Sequence, residues 1–170
     1  MCRTKFVGEV GLDAGPRFYK SLALQEAVFE RILIASKNSG PKIVSLHSVR
    51  SASKVMDLIE RVQSTNLKFV FHWFTGSKSE AKRAIEMGSY FSVNRTMMGT
   101  ERGRGFVEGL PIDRILTETD GPFIVDSNGA PIQPGDVTDV VLSLSHLLKK
   151  PSDLVIEIIC KNLSKLEGSL

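Results

Sequence analysis

Short apolar runs alternate along the chain with longer segments of helical period. The runs are rich in β-branched and aromatic residues, which favour strands, whereas the segments between them repeat apolar positions every three or four residues. Strands and helices that alternate in this way predict an α/β protein built around a parallel sheet. The predicted strands are residues 5–11, 42–48, 68–74, 90–94 and 114–120, and the predicted helices are residues 19–38, 51–64, 78–88, 137–150 and 151–166.

Residues that bind metals or move protons stand at the carboxyl ends of four predicted strands. They are Glu9, His47, His72 and Asp120, and Asn94 lies at the end of the remaining strand. Because parallel strands point the same way, their carboxyl ends gather on one face of the fold. Imidazoles with carboxylates suit Zn²⁺, Mn²⁺ or Fe²⁺, whereas ligand sets of oxygen alone suit Mg²⁺. The pattern predicts a metal site, in which Glu9 could bridge two ions and Asp120 could orient or deprotonate a water.

Each of these residues also has a purely structural interpretation. A strand-end histidine can be a hydrogen-bonded structural residue, Glu9 can pair with a neighbouring helix, and Asp120 can form the turn before Gly121 and Pro122. The joint occurrence of such residues at four strand ends favours the metal site.

Two further features predict contacts with a substrate. Trp73 could stack on a nucleobase, or it could simply pack against the protein. The glycine-rich segment 99–105, GTERGRG, carries Arg102 and Arg104 but has no G-K-[ST] pattern, so it is not a Walker loop. It is either a flexible basic loop that grips phosphate or a solvated loop that enters a short helix.

Composition limits the class of protein and the cellular compartment that we expect. The 170 residues favour a single domain, and a net charge of +3 from 22 basic and 19 acidic residues does not by itself indicate nucleic acid. Cys2 and Cys160 stand far apart without a C-x-x-C spacing, which predicts reduced thiols. No apolar run approaches the roughly 20 residues that span a bilayer, and the first residues lack the apolar region of a signal peptide. We therefore expect a cytoplasmic protein that does not contact membranes.

Four segments in the order FVGEVGLD, LHSVR, HWFTGS and ILTETDGP resemble the TatD family of metal-dependent deoxyribonucleases. The resemblance covers nearly the whole chain, and through HWFTGS, YFSVN and LTETDGPF it extends to the TatD-like nuclease of Qat anti-phage defence systems. It implies a TIM-like (β/α) barrel that hydrolyses DNA, often from the 3′ end, with two or more divalent ions such as Mg²⁺, Mn²⁺ or Zn²⁺.

The resemblance also implies roles for single residues. Glu9 is similar to the carboxylate that contacts or bridges both metals, and His47 and His72 are similar to ligands of one metal. Asp120 is similar to the aspartate that binds metal and helps to activate water. Arg50 lies one position away from the arginine of the family motif, which makes it a candidate for contact with phosphate.

The chain departs from the family pattern at its beginning. Members have further strands before GE-x-GLD, with an H-x-H or H-x-D pair and a G-x-H-P segment, whereas this sequence begins almost at GEVGLD. We therefore expect residues 1–170 to form one TatD-like domain, an incomplete barrel with about five of eight strands. An opened barrel exposes sheet edges, which a protein partner from a defence operon could cover. Purified alone, this truncated chain is expected to bind metal weakly and to have little activity.

The predicted function is divalent-metal-dependent hydrolysis of phosphodiester bonds in DNA, in single strands or at 3′ ends, in an exonuclease-like manner. One alternative is a non-catalytic subunit or remnant that binds a partner in a defence complex. Another is a related metallohydrolase that acts on a small amide or ester. Metal-supported cleavage of single-stranded DNA would separate the first hypothesis from the other two.

Overall fold

Helices alternate with parallel strands, which confirms the predicted α/β class. The computed structural model describes residues 4–126 and 128–169. These residues fall into two compact units, the first formed by 4–90 with 166–169 and the second by 91–126 with 128–165. The strands are β1 Phe6–Asp13, β2 Lys42–Val49, β3 Leu67–His72, β4 Tyr90–Val93 and β5 Ile115–Thr117. The helices are α1 Leu22–Asn38, α2 Ala52–Val62, α3 Lys78–Glu86, α4 Arg95–Met98, α5 Glu101–Glu108, α6 Thr138–Leu148 and α7 Ser152–Gly168, with 3₁₀ turns at Tyr19–Ser21 and Ile112–Arg114.

The first unit is organised around parallel pairing of β1 with β2 and of β2 with β3. β2 lies in the middle, and its side chains are buried at almost every position from Lys42 to Leu46, as expected for a strand covered on both faces. Helices α1 and α2 contribute their apolar stripes to the same core. The largest fully buried side chains of this unit are Leu12, Phe29, Leu33, Val44, Leu46, Val55, Met56, Phe71 and Leu166.

A β-bulge interrupts the pairing of β1 with β2. Val7 pairs with Val44 and Val10 pairs with Leu46, so that Gly8 and Glu9 together face Ser45. A Cβ atom on Gly8 would lie 2.7 Å from the Cβ of Ser45, which explains why a glycine occupies this position. Bulges of this kind redirect side chains and are frequent beside active sites.

Glu80 ties the beginning of α3 to the beginning of α2. Its carboxylate and Ser77 form a capping box at the first turn of α3. The other carboxylate oxygen accepts hydrogen bonds from the backbone N–H of Ser53, at 3.1 Å, and from the Ser53 hydroxyl, at 2.8 Å. We call these hydrogen bonds of Glu80 the clamp between α2 and α3. Since α2 and α3 follow β2 and β3 directly, the clamp fixes the two loops that leave the carboxyl ends of those strands.

The second unit contains the parallel pair β4 and β5. At their carboxyl ends Glu118 accepts hydrogen bonds from the Ser92 hydroxyl and, at 2.9 Å, from the Asn94 amide. Asn94 is fully buried and also caps α4 by accepting from the backbone N–H of Met97. The core of this unit is formed by Phe91, Val93, Val107, Ile115, Val140, Leu144 and Val155.

Several predicted boundaries are wrong for local reasons. β3 ends at His72 rather than at residue 74, because Trp73 takes a left-handed conformation with φ of 36° that a strand cannot continue. β5 ends at Thr117, so Asp120 lies beyond it. Segment 99–105 is not a flexible loop. It enters a short helix, as the second interpretation expected, but α5 begins already at Glu101 and includes most of the segment.

The structure bears on the predictions of reduced cysteines and of no membrane-spanning segment. Cys160 is an exposed free thiol on α7, and Cys2 lies outside the described residues. Among residues 4–126 and 128–169, no helix is both long enough and apolar enough to cross a membrane.

Candidate metal centre

Glu9, His47 and His72 come together on three consecutive strands of the first unit. Each contributes one ligand atom, and the three atoms lie within 4.8 Å of one another. Nδ1 of His47 is hydrogen-bonded to Oε1 of Glu9, and Nε2 of His72 lies 3.6 Å from the same oxygen. The two imidazole rings stack with their centroids 6.4 Å apart. The sequence prediction that these three residues converge is therefore correct.

The position of Glu9 differs from the prediction. It lies in the middle of β1 rather than at its end, and it reaches the two histidines because it belongs to the bulge opposite Ser45. His47 precedes the last residues of β2, and only His72 is the final residue of its strand. The convergence thus depends on a local irregularity of β1 as well as on the parallel arrangement of the strands.

The electrostatics of the cluster suit a cation. The hydrogen bond from His47 is the main reason that the pKa of Glu9 is lowered, and the charges of His72 and His47 act in the same direction against the effect of burial. The hydrogen bond to Glu9 is likewise the main reason that the pKa of His47 is raised, with a smaller contribution from Asp13. A carboxylate held ionised beside two imidazoles offers one oxygen and two nitrogen ligands, the set that Zn²⁺ and similar ions prefer. A metal would take the place of the proton in the hydrogen bond between Glu9 and His47. The residues present therefore fit a divalent ion.

The cluster is partly exposed to solvent. The side chains of Glu9 and His47 are 37% and 33% exposed, whereas that of His72 is 12% exposed. The centre thus has a solvent-facing side formed by Glu9 and His47 and a more enclosed side formed by His72.

Asp13 is a neighbour of this cluster that the sequence analysis missed. Its Oδ2 atom lies 3.5 Å from Nε2 of His47, on the side of the ring opposite to Glu9. The available signal was the position of Asp13 at the true end of β1, since the same criterion identified the other candidates. Placing the end of the strand at residue 11 hid this signal.

Asp120 lies in the second unit, beyond the end of β5. Its φ of 52° is left-handed, and its carbonyl oxygen accepts hydrogen bonds from the backbone N–H groups of Phe123 and Ile124, at 2.9 and 3.1 Å. This backbone geometry agrees with the turn-forming interpretation of Asp120. Its role as a metal ligand stays a prediction.

The three predicted substrate contacts occupy different settings. Arg50 is exposed directly after β2, with a left-handed φ of 51°. Trp73 is half-buried, and its ring meets that of His72 edge to face at 6.3 Å between centroids. Arg102 is an exposed residue of α5 in the second unit. Their contacts with a substrate stay predictions, and Trp73 takes part in packing.

Comparisons with known proteins agree with one another. The chain is 25% identical over 159 residues to an uncharacterized metal-dependent hydrolase of Methanocaldococcus jannaschii, covering 94% of this chain and 61% of that protein. It is 28% identical over 147 residues to the 3'-5' ssDNA/RNA exonuclease TatD of Cronobacter sakazakii, covering 85% and 55%. The crystal structure of a TatD homologue from Escherichia coli K12 superposes with a TM-score of 0.84 at 26% identity, covering 96% of this chain and 63% of that one.

The chain spans between 55% and 63% of the length of these three proteins. The structural match confirms the predicted α/β, TIM-like barrel class. The profile of the family described as TatD related DNase matches residues 2–168, which is almost the entire sequence. The chain therefore belongs to the TatD family of DNases.

Proposed function

We propose that this chain supplies the metal centre of a nuclease that hydrolyses phosphodiester bonds in DNA. The observation that carries the proposal is the convergence of Glu9, His47 and His72, whose ligand atoms lie within 4.8 Å of one another in the first unit. Membership of the TatD family supports the substrate class, and one relative is named a 3'-5' ssDNA/RNA exonuclease. We propose single-stranded DNA and 3′ ends as the preferred substrates.

In this proposal Glu9, His47 and His72 bind a divalent ion, for which Mg²⁺, Mn²⁺ and Zn²⁺ are the candidates. When bound, such an ion lowers the pKa of a coordinated water and stabilises negative charge on phosphate oxygens. We propose Asp120, which lies in the second unit, as a further metal ligand that could orient or deprotonate a water. This role for Asp120 is supported by the ETDGP segment, which resembles the family motif.

Three side chains are proposed to hold the nucleic acid. Arg50 and Arg102 are exposed guanidinium groups that can donate two hydrogen bonds to a phosphate. Trp73 is half-exposed beside His72, where one face of the indole can stack on a base. Contacts to phosphate and stacking do not depend on sequence, as a nuclease that cleaves DNA of any sequence requires.

The test is hydrolysis of a single-stranded oligonucleotide labelled at its 5′ end, with Mg²⁺, Mn²⁺ or Zn²⁺ added to metal-free protein. We expect slow shortening from the 3′ end, because the cluster of Glu9, His47 and His72, even with Asp120 as a further ligand, offers enough ligand atoms for one ion but not for two. His72→Ala should abolish the reaction, whereas His146→Ala, an exposed substitution on α6, should leave it unchanged. Shortening that continues in His72→Ala, or in the presence of EDTA, would contradict the proposal.

The same preparation distinguishes the alternative chemistry. A metallohydrolase of small amides or esters should cleave nitrophenyl esters and leave bis-nitrophenyl phosphate intact. The proposed nuclease should show the opposite preference, since its centre must stabilise charge on phosphate oxygens.

A second candidate function is binding to a protein partner. β1 stands at the end of the strand order, and exposed apolar side chains lie on it and on the adjacent α1, namely Phe6, Leu24, Val28 and Ile34. A sheet edge beside such residues favours pairing with another chain. We propose that the partner is a protein of the same operon, and that both act in the cytoplasm in anti-phage defence, as the HWFTGS and LTETDGPF segments suggest. Co-expression followed by gel filtration tests this, and loss of the complex in Leu24→Glu would support it.

A further inference from the structure

We infer that Asp13 is a positioning residue that holds the imidazole of His47 so that its Nδ1 atom faces the metal. The inference rests on the proposed metal site and extends it to the last residue of the FVGEVGLD segment, to which the sequence analysis gave no role. Oδ2 of Asp13 lies 3.5 Å from Nε2 of His47, while Nδ1 of the same ring is hydrogen-bonded to Glu9. The ring thus stands between two carboxylates that act on its two nitrogens separately.

The carboxylate of Asp13 is itself held in a fixed orientation. Its Oδ1 atom accepts a hydrogen bond of 2.7 Å from the backbone N–H of Gly15, which leaves Oδ2 to face His47. The side chain of Gln25 accepts from the backbone N–H of Asp13 at 2.7 Å and donates to its carbonyl at 3.1 Å. Helix α1 therefore fixes the backbone of Asp13, and Gly15 fixes its side chain.

This arrangement matters because the two nitrogens of a neutral imidazole have different roles. One carries the proton and the other has the lone pair that binds a metal. A carboxylate beside Nε2 keeps the proton there and leaves the Nδ1 lone pair for the ion, and it also limits rotation of the ring. Outer carboxylates of this kind typically contribute about 10-fold to 100-fold to metal affinity.

Asp13→Asn is the most informative substitution. The introduced amide retains an oxygen that can accept from Gly15, so the local turn is preserved. Its NH₂ group, however, can be directed at Nε2 of His47, which would then have to accept a hydrogen bond and move its proton to Nδ1. The nitrogen that faces the metal would be blocked, and we expect the dissociation constant for Mn²⁺ or Zn²⁺ to rise about 10-fold to 100-fold.

Gly15→Ala is a second variant that retains the carboxylate and its charge. A Cβ atom at this position would lie 2.8 Å from Oδ1 of Asp13, so the carboxylate has to move. We expect weaker metal binding here as well, with the melting temperature close to that of the wild type because only the end of a side chain is displaced. This variant therefore tests whether the position of the Asp13 carboxylate matters when its charge is unchanged.

The measurement is isothermal titration of metal-free protein with Mn²⁺ and with Zn²⁺, with Asp57→Asn as the matched control. Asp57 is an exposed aspartate of α2 that pairs with Arg83 and lies outside the cluster. In the Zn²⁺-loaded wild type, a ¹H–¹⁵N NMR spectrum should also show a protonated Nε2 on His47.

The outcomes are distinguishable. Equal affinity of the wild type and Asp57→Asn together with weakened binding by Asp13→Asn and Gly15→Ala supports the role of Asp13. Equal affinity of the wild type and Asp13→Asn overturns this inference and leaves the metal site intact. A wild type that binds neither ion overturns the proposed metal site and the role of Asp13 with it.

Discussion

Glu9 and His47 are hydrogen-bonded to each other across the neighbouring strands β1 and β2, through Oε1 of the carboxylate and Nδ1 of the imidazole. The contact exists because the bulge at Gly8 and Glu9 directs the Glu9 side chain towards β2 and β3. It lowers the pKa of Glu9 and raises that of His47. The same two atoms are ligands in the proposed metal centre, so this pair joins the local fold to the proposed function.

Replacing Glu9 should weaken metal binding strongly. In Glu9→Gln the charge that attracts the cation is lost, and we expect the dissociation constant for Mn²⁺ to rise at least about 10-fold. The pKa of His47 should also fall towards its ordinary value, which NMR titration of the ring can follow. Glu86→Gln, at an exposed position of α3, is the control and should bind Mn²⁺ like the wild type. An unchanged affinity in Glu9→Gln would exclude this residue as a ligand.

Glu80→Ala should destabilise the protein in a manner that depends on pH. The backbone N–H of Ser77 is the main cause of the lowered pKa of Glu80, and Ser53 contributes in the same direction. Because the pKa is lower in the folded state, this stabilisation is present above the ordinary glutamate pKa and is lost as the pH falls through the folded value. Urea unfolding should show a loss of about 1 kcal/mol at neutral pH.

The difference between wild type and Glu80→Ala should shrink in acid, and Glu86→Ala on the same helix should show little effect at either pH. A loss that is constant from neutral to acidic pH would mean that the charged form of Glu80 does not stabilise the clamp between α2 and α3.

Gly11→Ala should be far more disruptive than an alanine at another glycine with positive φ. Gly11 has φ of 150°, and a Cβ atom there would lie 2.0 Å from the carbonyl oxygen of His47. Gly40 also has a positive φ, of 93°, but a Cβ atom would meet nothing within 4 Å. We expect Gly40→Ala to cost about 1 kcal/mol from backbone strain alone and Gly11→Ala to cost at least about 3 kcal/mol. Equal losses in urea unfolding would show that β1 does not approach β2 as closely as described.

Asn94→Ala should destabilise the second unit. The Asn94 side chain is fully buried, caps α4 through the N–H of Met97 and donates to Glu118. Its removal takes away the acceptor of the buried Met97 N–H and one donor to the Glu118 carboxylate. We expect this to cost about 2–3 kcal/mol of the free energy of unfolding. Asn128→Ala in an exposed loop is the control. Circular dichroism during urea unfolding measures the free energy of unfolding of both variants. If Asn94→Ala loses no more of this free energy than Asn128→Ala, the role of Asn94 is refuted.

The strand pattern was predictable from the sequence because apolar runs and turn residues are local signals. β2 and β4 begin at Lys42 and Tyr90, where the sequence places them. The convergence of His47 and His72 follows from this pattern, since neighbouring parallel strands bring their ends together. The family resemblance was also predictable, because its motifs are short segments that contain the strand-end residues.

Features that depend on contacts between distant segments were not predictable. The bulge that brings Glu9 to the histidines requires the close approach of Gly8 to Ser45, and the orientation of Asp13 requires Gln25 of α1. The extent of helix α5 was not predicted, because Gly103 and Gly105 have low helical propensity. It forms because Thr100 caps it, and because a residue without Cβ at 103 allows the carbonyl of Met97 to pass closely.

The measurement that tests the central claim most directly is an anomalous difference map from crystals grown with Mn²⁺. The account predicts a peak at coordination distance from a Glu9 carboxylate oxygen, Nδ1 of His47 and Nε2 of His72. Density at these three atoms would establish the cluster as a metal centre. Saturating Mn²⁺ with no peak between Glu9, His47 and His72, or with ordered Mn²⁺ only elsewhere, would contradict it.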